Sequence, residues 1–358
     1  MKGATLDGRY KVPGGGREIY LRITGKKQAL IGVACVVIVV FFFLDLMTGP
    51  SWLTVSEVIT ALLFHETVSS ANEVIVWDVR LPVALMALIV GASLGIAGAE
   101  MQAILDNPLA DPYTLGISSA AGLGASLAIV LGVGVTEAGV FLVPLNAFVF
   151  SFFSSIFIYY VAKTRSSDKG TIVLTGIALL FLFQSSIALL QYMASNQQMA
   201  AILFWMFGSL SKATLANAGI CAAIMVALFA IFASDAWKLT ALKLGDNKAK
   251  SLGIDVEGLR RKSLICVSLI TATAVSFVGT IGFIGLVGPH IARLLVGDDQ
   301  RFYLPLSALM GAMLLSIAST LSKIIMPGSI FPIGIVTSFI GVPFFLSLIL
   351  KRKKGGLR

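Results

Sequence analysis

Ten apolar runs follow one another along this chain, most of them long enough to cross a bilayer, with only short hydrophilic connections between them. A helix needs about 20 apolar residues to span a hydrocarbon core about 30 Å thick. Backbone in lipid must also satisfy its own hydrogen bonds, so each spanning run has to be helical. The runs fall at 29–48, 82–105, 113–133, 138–162, 171–193, 215–236, 263–280, 283–296, 304–325 and 332–350, the eighth being short and glycine-rich. The chain is 57% apolar and 13% charged, whereas a water-soluble domain carries about 25% charged residues. The expected fold class is an all-α polytopic membrane protein with about ten transmembrane helices.

The basic residues orient these helices. With alternating sides, 24 of the 27 lysines and arginines fall on one side, which the positive-inside rule makes cytoplasmic. Arg80, Lys212 and Lys323 remain for the outer side, and an even number of spans returns both termini to the cytoplasm. The chain then divides into a basic N-terminal arm (1–28), a transmembrane domain (29–350) and a basic tail (351–358). The first run lacks a small-residue cleavage signal after it and reads as a retained span. The net charge of +9 follows from topology and requires no nucleic acid partner.

Residues 238–262 stand apart as a polar island with seven basic and three acidic side chains. At about 2.5 kcal/mol per charge, immersing it would cost roughly 25 kcal/mol, so it belongs in water. Its spacing puts Leu242, Ala249, Leu252 and Ile254 near one helical face, and Gly245, Gly253 and Gly258 break it into short pieces. Two flat amphipathic helices offering an apolar stripe to a soluble partner fit this pattern, as does an ordinary solvated loop.

Other features limit the chemistry. No GxxxxGK[ST] or HExxH segment is present, and Cys35, Cys221 and Cys266 lie in apolar runs without metal-ligand spacing. Catalysis, a metal site and a cofactor are not expected in this chain. Ionisable groups within the spans are Asp45, Glu100 and Lys323, each expected to snorkel or face a wet cavity. The fifth span places Gln184, Ser185, Ser186, Gln191 and Tyr192 in an otherwise apolar run; such groups line a passage or bond to neighbouring helices. Pro108 and Pro112 interrupt the connection after the second span, and residues 279–299 carry Pro289, His290 and Arg293 to the cytoplasmic surface. Glycines at 91, 95 and 98 and at 279, 282, 285 and 288 read as close helix packing. The segment 49–81 has Trp52, Val55, Val58, Ile59, Leu62 and Leu63 at helical spacing, with Trp77 beyond, as a surface helix would.

Four stretches together resemble the permease family of type II ABC importers for ferric siderophores, haem and cobalamin. They are VRLPVALMALIVGASLGIAGAEMQAILDNPLADPYTLGIS (79–118), ALKLGDNKAKSLGI (241–254), GTIGFIGLVGPHIARLLVG (279–297) and FPIGIVTSFIGVPFFLSLI (331–349). The resemblance implies a ten-helix permease paired with a second permease subunit, identical or related. Its partners would be two cytoplasmic ABC ATPases that bind ATP and Mg²⁺ and a periplasmic substrate-binding protein, in a bacterial inner membrane. It further implies that Leu244, Gly245, Ala249, Leu252 and Gly253, with His290 and Arg293, couple to the ATPase. Arg80 and Lys323, with Lys212, would dock the binding protein, although Val83 stands where the family commonly has a second arginine. Ser167 and Thr171 correspond by position to a cytoplasmic gate, and Gln184, Gln191 and Tyr192 to the pathway helix. An iron(III)–siderophore complex is the expected solute. Cobalamin or haem is the alternative solute within the same family, and an ion-coupled secondary transporter is the rival expectation from a different class.

Overall fold

The computed structural model describes residues 16–64, 70–132, 139–164, 169–326 and 330–352. Every regular element among them is helical. Seven helices are long and apolar enough to cross a membrane, and three shorter apolar ones bring the set to ten. The long ones are α1 (Gly16–Met47), α4 (Leu81–Leu105), α6 (Gly139–Thr164), α7 (Lys169–Met193), α9 (Leu215–Ser234), α12 (Val256–Val278) and α14 (Gln300–Ile324). The shorter ones are α5 (Ile117–Val130), α13 (Ile284–Val296) and α15 (Ile333–Arg352). The chain is thus an all-α polytopic membrane protein.

The centre is α4, which is buried along nearly its whole length between α12, α13 and α14. Its glycines set the distances. A Cβ at Gly98 would overlap the Gly285 carbonyl, one at Gly91 the Gly311 carbonyl, and one at Gly95 the Ser307 carbonyl. Small residues here let backbones touch, as expected from the sequence. Gly282 is the exception, since a Cβ there meets nothing within 4 Å.

Between α1 and α4 the outer segment folds as α2 (Val55–Leu63), α3 (Ser70–Val74) and a π-helical turn over Ile75–Arg80 that runs into α4. A capping box between Thr54 and Glu57 starts α2, Val58 and Ala61 are its buried face, and the Trp77 indole donates to the Ala61 carbonyl at 2.9 Å. Two elements depart from the sequence reading. The expected third span from 113 begins only at Ile117, because Pro108, Pro112 and the left-handed Gly116 hold 106–116 out of helix. The short helix α8 (Asn196–Met206) was not anticipated, since its apolar residues lack a sustained period; Ser195 and Gln198 cap it.

Arg80 and Lys323 do not project from the outer surface as a docking role requires. Lys323 Nζ lies 2.8 Å from Asp45 Oδ1, with side chains 8% and 0% exposed, and Ser319 donates to both oxygens of the same carboxylate. Asp45 therefore neither snorkels nor faces water. The Arg80 guanidinium, also buried, donates to the carbonyls of Leu46 at 2.8 Å and Met47 at 2.9 Å in the last turn of α1 and of Ser51 in the turn beyond it. Lys212 is exposed. Breaking a buried ion pair by removing one partner costs about 3–5 kcal/mol. Lys323→Met is therefore expected to lower thermal stability of the purified protein markedly, and the double variant Asp45→Asn/Lys323→Met to regain most of the loss.

Candidate functional site

The polar island folds into two short helices, α10 (Ala236–Leu242) and α11 (Asp246–Ser251), at the end of α9. Gly245 between them has φ +99°, and Gly253 after α11 has φ +80°. Both values suit glycine and penalise other residues. Leu239, Ala241, Leu242, Ala249 and Ile254 are buried in the main core, whereas Leu244 and Leu252 are 57% and 51% exposed. Ala249 is therefore not part of an outward stripe, because its methyl seats α11 on the subunit. The large apolar groups offered outward are Trp237 of α10, 62% exposed, and the two leucines, each beside a left-handed glycine.

One arginine fixes this platform to the membrane helices. Arg260, in the first turns of α12, is 2% exposed. Its Nε donates to the Ile104 carbonyl of α4 at 3.0 Å, and its terminal nitrogen reaches both Asp246 oxygens at 3.2 and 3.1 Å. A planar guanidinium can bridge a carbonyl and a carboxylate in this way, while a lysine ammonium lacks the fork. Around it, Lys169 at the start of α7 lies 3.6 Å from both Asp106 and Asp246, and Lys243 lies 3.5 Å from Asp106. Asp235 pairs with Lys238 and Lys262, and Thr240 of α10 accepts from the Gln300 amide of α14 at 3.1 Å. Arg260 was not distinguished in the sequence; it read as one of seven basic residues, and only its position four residues into an amphipathic helix start hinted at burial.

The remaining expected positions divide. Arg293 faces inward: it pairs with Asp298 at 2.9 Å and donates to the Tyr303 hydroxyl at 3.0 Å, which in turn donates to Gln102 of α4 at 3.1 Å. It thus forms a second bridge onto α4 rather than an exposed contact. His290 packs edge-on against Phe344 of α15, centroids 6.1 Å apart, and so also works within the subunit. Ser167 lies outside the described residues; Thr171 is half-buried in the first turn of α7. Gln184, Ser185 and Tyr192 are exposed on α7, Gln191 is half-buried, and Ser186 bonds back to Leu182. Polar groups on an outer face are costly against lipid, so this face of α7 suits another subunit or a wet passage.

Burial raises the Asp246 carboxyl, but the Arg260 hydrogen bond and charge, followed by Lys169, outweigh it and hold the carboxyl below its ordinary range. A carboxyl depressed in the folded state stabilises above its unfolded pKa, and that contribution is lost as pH falls through the folded value. Protection of 246–252 against hydrogen exchange, taken relative to the intrinsic rate at each pH, is expected to fall as the medium is acidified below the ordinary carboxylate range, and Asp246→Asn should remove that pH dependence while being less protected at neutrality. Arg260→Met should loosen the same segment by about 1–3 kcal/mol, because the Ile104 carbonyl loses its partner.

Known proteins resemble this chain in sequence and in fold. The FecCD transport family model matches residues 37–351. A protein of Methanocaldococcus jannaschii described as an ABC transporter permease is 38% identical over 341 residues, 92% of this chain and 96% of that protein. The Fe(3+)-citrate import system permease protein YfmE of Bacillus subtilis is 34% identical over 328 residues, 90% of this chain and 96% of its own. The cobalamin import system permease protein BtuC of Halobacterium salinarum is 36% identical over 291 residues, 80% and 76% respectively. A solved structure described as an inward-facing metal-chelate type ABC transporter superposes with TM-score 0.81 at 26% identity, covering 90% of this chain and 99% of that one. The chain belongs to the FecCD transport family and is an ABC transporter permease, a membrane subunit whose ATP hydrolysis resides in a separate polypeptide.

Proposed function

We propose that this permease carries an iron(III)–siderophore complex across a bacterial inner membrane. It works as one of a pair of permease subunits, with two ABC ATPases binding ATP and Mg²⁺ beneath and a periplasmic binding protein delivering the solute above. The observation that carries this reading is the α10–α11 platform: two exposed leucines flank α11, which is tied through Arg260 to α4. A soluble partner gripping Leu244 and Leu252 pulls on α4 without an intervening loose joint. The outward face of α7, with Gln184, Ser185 and Tyr192, supports pairing of two subunits around a polar passage. The iron-citrate relative supports an iron chelate as solute; the cobalamin relative makes a corrinoid the competing solute. Lys212 remains the exposed basic residue suited to the binding protein. Such exposed charges set orientation and association rate.

Proteoliposomes holding the permease, its ATPase and binding protein should accumulate radio-iron siderophore only when ATP is present. Accumulation of cobalamin alone would contradict the solute, and uptake by the permease alone under an ion gradient would contradict the mechanism. Gly245→Val and Gly253→Val should insert normally yet abolish ATP-driven uptake, because each forces a β-branched residue into a left-handed conformation costing roughly 1–2 kcal/mol and turns its leucine away from the partner. Unchanged uptake in both variants would remove the platform's coupling role.

A further inference from the structure

The outer helix α2 has three faces. At about 100° per residue, Val58 and Ala61 point one way, Val55, Ile59 and Leu63 a second, and Ser56, Glu57 and Thr60 a third, in directions roughly 120° apart. The first face is buried, in a cluster with Leu46 of α1, Val76 of the π-helical turn and Leu81 of α4. The third is polar and carries the Glu57 carboxylate of the capping box, a charge that stays in water. The second is apolar yet open, with Val55, Ile59 and Leu63 at 49%, 39% and 69% exposure. Trp52 before the helix and Phe64 after it are exposed as well. Scattered exposed apolar residues are ordinary, whereas a continuous stripe flanked by aromatic rings marks a surface that something covers.

The neighbours of α2 identify the occupant. It packs on α1, α3 and the π-helical turn, and every side chain that α1 exposes between Val33 and Leu44 is apolar. This flank of the subunit therefore faces lipid up to its outer end. The α7 face that suits a second subunit is carried instead by a helix packed on α5, α6 and α8, and Lys212, the exposed base suited to the binding protein, lies between α8 and α9. Residues 52–79 hold four acidic and no basic residues. Attraction to anionic headgroups is thus missing, and the contact has to be apolar. The Thr54–Glu57 capping box at one end and the Trp77 indole on the Ala61 carbonyl at the other hold the helix in this attitude.

We infer that α2 lies in the membrane–water interface on the outer side, with the Val55–Ile59–Leu63 stripe in the acyl-chain boundary of the lipid, Trp52 at headgroup level and the Glu57 face in water. Interfacial helices combine an apolar and a polar face in this way, and tryptophan concentrates at that depth. So placed, α2 sets the depth of the outer end of α1, where Arg80 and the Asp45–Lys323 pair are bound. The partner is lipid, and nothing in the inference depends on the transported solute or on ATP.

The test places a nitroxide on Ser56→Cys, Ile59→Cys or Leu63→Cys, one at a time, in the complete transporter with the exposed Cys35 replaced by alanine and phosphatidylcholine vesicles as the bilayer. Collision rates with oxygen, which partitions into lipid, and with a polar nickel chelate, which does not, are compared. The oxygen-to-nickel ratio is expected to be about tenfold higher at positions 59 and 63 than at 56, since polar solutes are excluded from apolar surroundings. Adding phosphatidylglycerol should leave it unchanged, and Ile59→Asp with Leu63→Asp should lower the ratio at Val55→Cys to that of position 56. Equal ratios at the three positions, a difference that requires phosphatidylglycerol, a Val55→Cys ratio indifferent to the two aspartates, or shielding of position 59 from both reagents, as under a protein partner, would each overturn the inference.

Discussion

A buried guanidinium ties the α10–α11 platform to the central helix α4. Arg260 sits in the first turns of α12, joined on one side to the Ile104 carbonyl in the last turn of α4 and on the other to the first residue of α11. A charge at 2% exposure is tolerable only when paired and fully hydrogen-bonded, which makes its geometry specific. The consequence is mechanical. Under the proposed coupling, displacement of α10 and α11 would be transmitted to α4, which is packed through Gly91, Gly95 and Gly98 directly onto α13 and α14. The Arg293–Tyr303–Gln102 chain ties the same helix a second time.

Much of this architecture was legible because bilayer physics is severe. Ten spans, their number parity and the aqueous location of 238–262 follow from the cost of charge and of unpaired backbone in lipid. The same signals fail where polar groups satisfy one another inside protein. Arg80, Lys323 and Asp45 were read as solvent-seeking because a sequence shows their charge and not their partners; in the fold Lys323 and Asp45 neutralise each other and Arg80 caps the end of α1. Ala249 and Leu252 share a predicted face, yet α11 ends at Ser251, so Ala249 is buried within the helix and Leu252, at its cap, is exposed. Arg260 was hidden for the opposite reason, as one arginine in a cluster of seven basic residues. The non-helical 106–116 segment was signalled by its prolines, but its return into the core beside Gly285, placing Asp111 there, depends on tertiary packing that no local pattern encodes.

The distribution of exposed surface matches a part that needs company. The α7 face carries polar residues outward, Leu244 and Leu252 stand clear below, and no cluster of metal ligands is found among the described residues. In the proposed mechanism the chain supplies shape, a passage and a lever, and ATP hydrolysis resides in a separate subunit.

The lever itself can be observed directly. Spin labels on Lys248 of α11 and Leu109 just beyond α4, both exposed, report whether the platform and the central helix move together when the assembled transporter binds ATP. The account predicts one narrow distance distribution, unchanged by nucleotide and broadened by Arg260→Met. A distance that shifts on ATP binding in the unaltered subunit would contradict it, because α10 and α11 would then slide over α4 instead of carrying it.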